Sequence, residues 1–296
     1  MTEAPAASAA ERLRARVAAI GAPLCVGIDP NPTELPAGLP PDATGVERFA
    51  RGLLEATLAV AAAIKINVAF FEAFGSAGWA ALERLRGDVP PGVPCILDAK
   101  RGDIGSTAER YATALMDLLD ADAVTLSPYL GEDAIEPFLA YPGRMVWVVC
   151  RTSNPDAGRL QQLRVDGRPL HAVVAGWVAG TWPPDRAGLV VGATAPDEML
   201  MLRALAPEHP FLVPGVGAQG GDLDAAVRLC HGRATPGLVA VSRGIARPAA
   251  AASNGWQAAA ARAARELSDR MQTAGGRLVD EPTRLHEPPH AADTGG

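Results

Sequence analysis

Asp98, Lys100 and Asp103 place two carboxylates around one ammonium, immediately after Val93, Cys95, Ile96 and Leu97, which read as a buried strand. Side chains alternate along a strand, so Asp98 and Lys100 point the same way, and Asp103 falls in the loop beyond. An ammonium held between carboxylates stays protonated, which makes Lys100 a proton donor. A Schiff-base lysine would instead need an apolar pocket or a neighbouring cation, and Asp98 beside it argues against that chemistry. Asp98 and Asp103 are also possible Mg²⁺ ligands, but Lys100 and Arg101 between them oppose a cation, so no metal is expected.

Lysine usage isolates the same region. Lys65 and Lys100 are the only lysines in a chain with 27 basic residues. An arginine-rich composition that keeps two lysines marks them as positions where a compact ammonium is required. Lys65 lies in Ala63-Ile64-Lys65-Ile66-Asn67, a second strand on which Lys65 and Asn67 share a face. Asp29 follows Leu24-Cys25-Val26-Gly27-Ile28, a first strand closed by the Pro30 and Pro32 turn.

These residues need a scaffold that gathers strand ends. Strands expected at 24–28, 63–67, 95–100, 123–126, 145–150, 187–193, 211–214 and 237–241 alternate with helices near 45–61, 75–86, 106–119, 131–140, 170–181, 196–205, 222–230 and 250–273. Such alternation predicts an α/β fold, a single (β/α)8 TIM barrel, with residues 10–20 as an N-terminal capping helix. An open doubly wound sheet is disfavoured, because no Gly-x-Gly-x-x-Gly follows the first strand. The expected organisation is a disordered arm at 1–9, the barrel at 10–274 and a disordered tail at 275–296, rich in Pro, Gly, Glu and His.

In a parallel barrel the C-terminal strand ends share one mouth, so Asp29, Lys65, Asp98 and Lys100 converge there. The bland alternative is a salt-bridge ring that only fills the barrel top. The glycine loop 215–222 precedes a helix and carries Gln219, and Arg243-Gly244 follows the last strand, a combination suited to phosphate. Thr152 and Ser153 follow the fifth strand, where they either hydrogen-bond a polar ring or serve as ordinary turn residues.

The bulk properties narrow the partner. A net charge of −6 and a pI near 5.4, without basic runs, argue against nucleic acid and anionic membranes. No signal peptide is recognisable and no apolar run reaches ~18 residues, so the expected location is cytoplasmic and the expected partner small. Cys25, Cys95, Cys150 and Cys230 lack paired zinc-site spacing and are expected to be reduced core thiols.

Asp98-x-Lys100-x-x-Asp103, with Gly27-Ile28-Asp29-Pro30, Lys65-Ile66-Asn67, Thr152-Ser153-Asn154-Pro155, Pro214-Gly215-Val216-Gly217 and Ser242-Arg243-Gly244, strongly resembles the orotidine 5′-phosphate decarboxylases. The form Asp-Ala-Lys-Arg-Gly-Asp-Ile-Gly is similar to their bacterial branch, and the resemblance spans roughly residues 12–270. It implies conversion of orotidine 5′-phosphate (OMP) to UMP and CO2 without cofactor or metal. It further implies that Lys100 protonates C6, that Asp98 sits beside the departing carboxylate, and that Lys65 and Asp29 hold the ribose hydroxyls and the charged network. Ser153 would read the pyrimidine, while Gln219, Arg243 and Gly244 would meet the phosphate. Asp103, Ile104 and Thr107 would cross a homodimer interface to complete the neighbouring site. Two other readings stay open: a Mg²⁺-dependent phosphosugar decarboxylase or aldolase on a related barrel, and a non-catalytic nucleotide-binding barrel.

Overall fold

Short apolar runs become strands here because both of their faces are covered, one by the barrel interior and the other by helices. The computed structural model describes residues 6–217, 220–231 and 233–280. The strands are β1 (Leu24–Ile28), β2 (Ala63–Asn67), β3 (Cys95–Arg101), β4 (Ala123–Leu126), β5 (Met145–Arg151), β6 (Arg164–Val165), β7 (Arg168–Pro169), β8 (Ala187–Val191), β9 (Phe211–Pro214) and β10 (Leu238–Val241). Eight of them close in the order β1-β10-β9-β8-β5-β4-β3-β2, all parallel, while β6 and β7 form a separate antiparallel hairpin. The expected TIM barrel is therefore the fold.

Alternation along each strand divides the core in two. Leu24, Val26, Ile28, Ile64, Ile66, Leu97, Val124 and Leu126 face the surrounding helices. Cys25, Ala63, Ile96, Ala123, Trp147, Val190, Leu212 and Ala240 fill the barrel interior. Following the inward positions toward the C-terminal ends, apolar residues give way to polar ones: Cys25 leads to Asp29, Ala63 to Lys65, Ile96 to Asp98, and Ala123 to Thr125.

The opposite end is sealed by the helix Ala9–Ile20. Ser8 and Glu11 form a reciprocal capping box at its start, and Gly21 ends it in the left-handed conformation, φ 73°. Ala9, Ala10 and Leu13 pack onto the interior residues at the barrel floor; burying Leu13 contributes about 2 kcal/mol. Arg12 pairs with Asp122 at the start of β4, and Asp122 also accepts from the Cys95 N–H at 2.7 Å. All four cysteines are free and buried, and burial pushes each thiol up to about 12.

Several elements differ from expectation. The helix expected at 106–119 is α-helical over Gly105–Ala112 and then widens to a π-turn over Thr113–Leu118. The one expected at 131–140 is only two short turns, Glu132–Ala134 and Glu136–Leu139, because Pro137 has no N–H to continue a helix from the preceding turn. A separate helix, Arg243–Ala250, forms before the position expected for the last one, and the helix expected at 250–273 starts only at Trp256, after Gly255 at φ 64°. It continues to Asp280, past the boundary expected at 274. Residues 1–5 of the arm and 281–296 of the tail lie outside the described residues. Among the described residues, no helix is long and apolar enough to cross a membrane.

Candidate active site

Asp29, Lys65, Asp98 and Lys100 reach one cavity of about 420 Å³ at the C-terminal mouth of the barrel. Their heights match because the register is tight: Gly27 of β1 stands beside Lys65 of β2, and Asn67 of β2 beside Asp98 of β3. The β3–β4 register then shifts between Leu97 and Arg101. Within that irregularity Lys100 adopts φ 45°, a left-handed backbone that a lysine enters only at a cost of order 1–2 kcal/mol.

The four charges alternate in sign along a line. Lys65 Nζ lies 3.6 Å from Asp29 Oδ1 and 2.7 Å from Asp98 Oδ2, while Lys100 Nζ lies 2.6 Å from Asp98 Oδ1. Burial alone would push the Asp98 carboxyl up, but the Lys65 and Lys100 charges and their hydrogen bonds hold it well below the usual carboxylate range. Burial likewise opposes the Lys65 ammonium, yet Asp29 and Asp98 overcome it and hold the group above an ordinary lysine. The lysines differ in access, because the Lys65 side chain is 7% exposed and that of Lys100 is 51% exposed. Lys65 is thus a fixed internal charge, and Lys100 is the ammonium open to a bound molecule.

The rest of the wall is uncharged except for Arg243. Val190, Leu212 and Ala240 form an apolar floor, and Thr152, Ser153 and Asn154 contribute from the loop after β5. That loop is tied down from below. The Gln161 amide accepts from the Thr152 N–H at 2.9 Å and donates to the Thr152 hydroxyl at 2.8 Å. Arg151 pairs with Glu198, whose carboxyl is held low by bonds from Arg151 and Gln162 against the opposing effect of burial. Gly192 permits the close approach, since a Cβ there would lie 2.9 Å from the Ser153 backbone nitrogen.

Gly215, Val216, Ser242, Arg243 and Gly244 complete the cavity wall. The helix after the glycine loop, Leu223–Cys230, is not an open anion site, because the Asp222 carboxylate already accepts its first N–H groups, from Asp224 and Ala225. The helix Arg243–Ala250 begins without a side-chain cap, and it is this N-terminus that carries the favourable dipole for an anion at the cavity. Gly215 (φ 100°) and Gly217 (φ 75°) adopt backbone conformations that suit glycine.

The structure gathers Asp29, Lys65, Asp98, Lys100, Ser153, Arg243 and Gly244 around the cavity. Asp103, Ile104 and Thr107 do not line it; Ile104 is 53% exposed, and the Asp103 carboxylate accepts from the Ile104 N–H at 2.8 Å. Gln219 lies outside the described residues. Thr125 and the floor residues were not singled out by sequence reasoning. The available signal for Thr125 was a hydroxyl two positions beyond an inward alanine on β4, and for the floor it was only apolar alternation.

Comparison with known proteins leads to the same place. The profile of the orotidine 5′-phosphate decarboxylase / HUMPS family matches residues 22–258. A Roseiflexus castenholzii protein named orotidine 5′-phosphate decarboxylase is 50% identical over 254 residues, which is 85% of this chain and 92% of that protein. The structure of Leishmania donovani OMP decarboxylase aligns with a TM-score of 0.77 at 40% identity, covering 91% of this chain and 99% of the other. Leishmania donovani UMP synthase aligns with a TM-score of 0.79 at 42% identity; this chain spans 56% of its length. With a closed parallel barrel, its two lysines at the mouth on either side of Asp98 and family similarity running from β1 to beyond β10, the chain belongs to the orotidine 5′-phosphate decarboxylase / HUMPS family.

Proposed function

We propose that this chain converts OMP to UMP and CO2 by direct decarboxylation at C6. The observation that carries the reading is the alternating series Asp29–Lys65–Asp98–Lys100 in a cavity that also holds Arg243 and an uncapped helix start. The phosphate sits at Arg243 and Gly244, the pyrimidine lies over the apolar floor with Ser153 at its polar edge, and the ribose hydroxyls meet Asp29 and Lys65. The C6 carboxylate then falls beside Asp98. The C6–carboxylate bond breaks, CO2 departs, and the electron pair stays on C6, where the Lys100 ammonium stabilises it and donates a proton. Lys100 regains that proton from water, which its exposed position allows.

Preorganised charge is the main source of rate enhancement in this scheme, because an ammonium fixed before the reaction needs no rearrangement as the carbanion forms. Binding energy from the phosphate, remote from C6, holds the carboxylate against Asp98. Following the ultraviolet change of OMP with and without EDTA tests the reading. Turnover unaffected by EDTA is expected. Loss of activity in EDTA would favour a Mg²⁺-dependent phosphosugar enzyme, and UMP binding without OMP turnover a non-catalytic barrel.

Arg243→Ala is expected to weaken UMP binding by about 2 kcal/mol, roughly thirtyfold, through loss of charge-assisted bonds to phosphate. Uridine, which has no phosphate, should be little affected. Calorimetric titration of both ligands checks this, and an unchanged UMP affinity would remove Arg243 from the phosphate site.

A homodimer with shared sites is part of the proposal. Asp103, Ile104 and Thr107 do not line their own cavity, and Ile104, Leu118, Tyr129 and Leu130 leave apolar surface exposed on the segments after β3 and β4. A second copy covering this face would bring those three residues to its neighbour's site. Mixing inactive Asp103→Ala and Lys100→Ala subunits should then restore activity, up to about a quarter of wild type per total site if subunits pair at random. Verified mixed dimers that stay inactive would exclude sharing.

A further inference from the structure

We infer that Thr125 is a positioning residue that sets the catalytic pair Asp98–Lys100 through a single buried hydroxyl. The inference rests on the proposed decarboxylase reading for its kinetic consequence, but not for its geometry.

Thr125 is the third residue of β4 and is 1% exposed, with its side chain on the inward face above Ala123. Its Oγ1 accepts the Lys100 backbone N–H at 3.0 Å and donates to Asp98 Oδ1 at 2.8 Å. The first bond fixes the direction of the second. With a lone pair committed to the amide, the hydroxyl proton is free to point at the carboxylate. Lys100 N–H, Thr125 O–H and Asp98 Oδ1 thus form one directed chain, and Lys100 Nζ closes it by donating to the same Oδ1 at 2.6 Å.

The need for this hydroxyl comes from the broken register. Regular pairing of β3 with β4 stops at Leu97 and resumes at Arg101. Lys100 falls inside the gap, at φ 45°, and its N–H is taken by a side chain instead of a strand neighbour. A left-handed lysine persists only where its surroundings over-determine it. Thr125 supplies one of those constraints and at the same time fixes the carboxylate oxygen that holds the ammonium. The backbone and the head group of Lys100 are therefore tied to the same atom, Thr125 Oγ1, one directly and one through Asp98.

Thr125→Val keeps the shape and removes the hydroxyl; Thr125→Ser keeps the hydroxyl. The expected result for Thr125→Val is a fall in kcat of about tenfold to a hundredfold, the size of effect that a small misplacement of a reacting group produces. UMP affinity should stay within about threefold, because UMP lacks the carboxylate that meets Asp98 and its phosphate is proposed to meet Arg243 and Gly244 instead. Thr125→Ser should recover most of the turnover. Amide hydrogen exchange at Lys100 reads the geometry in the same samples without any substrate. It should be slow in wild type and Thr125→Ser and at least about tenfold faster in Thr125→Val. Unchanged exchange and unchanged kcat in Thr125→Val would overturn the inference, as would equal losses of kcat in the Val and Ser variants. If wild type fails to turn over OMP, the proposed function fails, and the exchange comparison alone decides the positioning role. Thr125→Ala provides a second hydroxyl-free variant should Thr125→Val not fold.

Discussion

Lys100→Ala is expected to abolish measurable decarboxylation while leaving UMP binding intact. The ammonium has two duties in the proposed chemistry. It stabilises negative charge on C6 as the bond breaks, and it supplies the proton afterwards. Removing one preorganised electrostatic group costs about 10²–10³ in kcat, and losing a general acid costs a further 10²–10⁴, so a combined fall of at least ~10⁴ is expected. The backbone does not confuse the result, because alanine and lysine meet the same penalty at φ 45°. Binding should persist because the proposed phosphate and ring contacts, on Arg243, Gly244, Ser153 and the floor of the cavity, do not involve Lys100. Single-turnover assays with a UMP titration check both halves. Retained turnover would take Lys100 out of its role.

Asp98→Asn should be damaging to stability as well as to catalysis. Asp98 is the anion between two ammoniums, and the variant leaves buried Lys65 facing only Asp29, at 3.6 Å. Breaking one side of a buried ion pair costs about 3–5 kcal/mol. Since Lys65 keeps one partner, about 3 kcal/mol is expected, with turnover reduced at least ~10²-fold through the misplaced Lys100 head group.

The pH dependence has a definite sign. Burial raises the Asp98 carboxyl, but the two lysines pull it well below its unfolded value. Its stabilisation is therefore complete above about pH 4, the unfolded carboxylate value, and is lost as pH falls toward the folded one. Lys65 is opposed by burial yet raised above its unfolded value by Asp29 and Asp98. Its contribution is complete below about pH 10 and is lost as pH rises through the folded value. Between about pH 5 and 9 the network contributes a constant amount. Urea unfolding from pH 2 to 7 should show a shallower acid decline in Asp98→Asn than in wild type. Equal slopes would show that Asp98 is not held low by its neighbours.

Much of the charged end of this site was legible from the chain itself. Period-two alternation put Lys65 on one face with Asn67 and Asp98 on one face with Lys100, and the repeated strand–helix pattern implied a barrel that would bring those ends together. The two lysines needed no structure to stand out, because composition had removed every other one. Local signals also marked the capping helix and the last residue of β1 as places where the chain turns.

Other features depend on what packs against what. The left-handed backbone at Lys100 follows from a broken pairing between β3 and β4, and pairing register is a relation between two strands that neither sequence segment contains alone. Thr125 reads as an ordinary β-branched strand residue until that register aims its hydroxyl at Lys100 N–H and Asp98. Asp222 looked like part of an anion-binding loop, whereas the fold uses it to cap its own helix and leaves Arg243–Ala250 as the open helix start. Residue types and their spacing therefore determined which groups share a strand face. Barrel closure decided which faces meet, because distances and hydrogen-bond directions across the mouth are set by strand register, a property of the closed sheet as a whole.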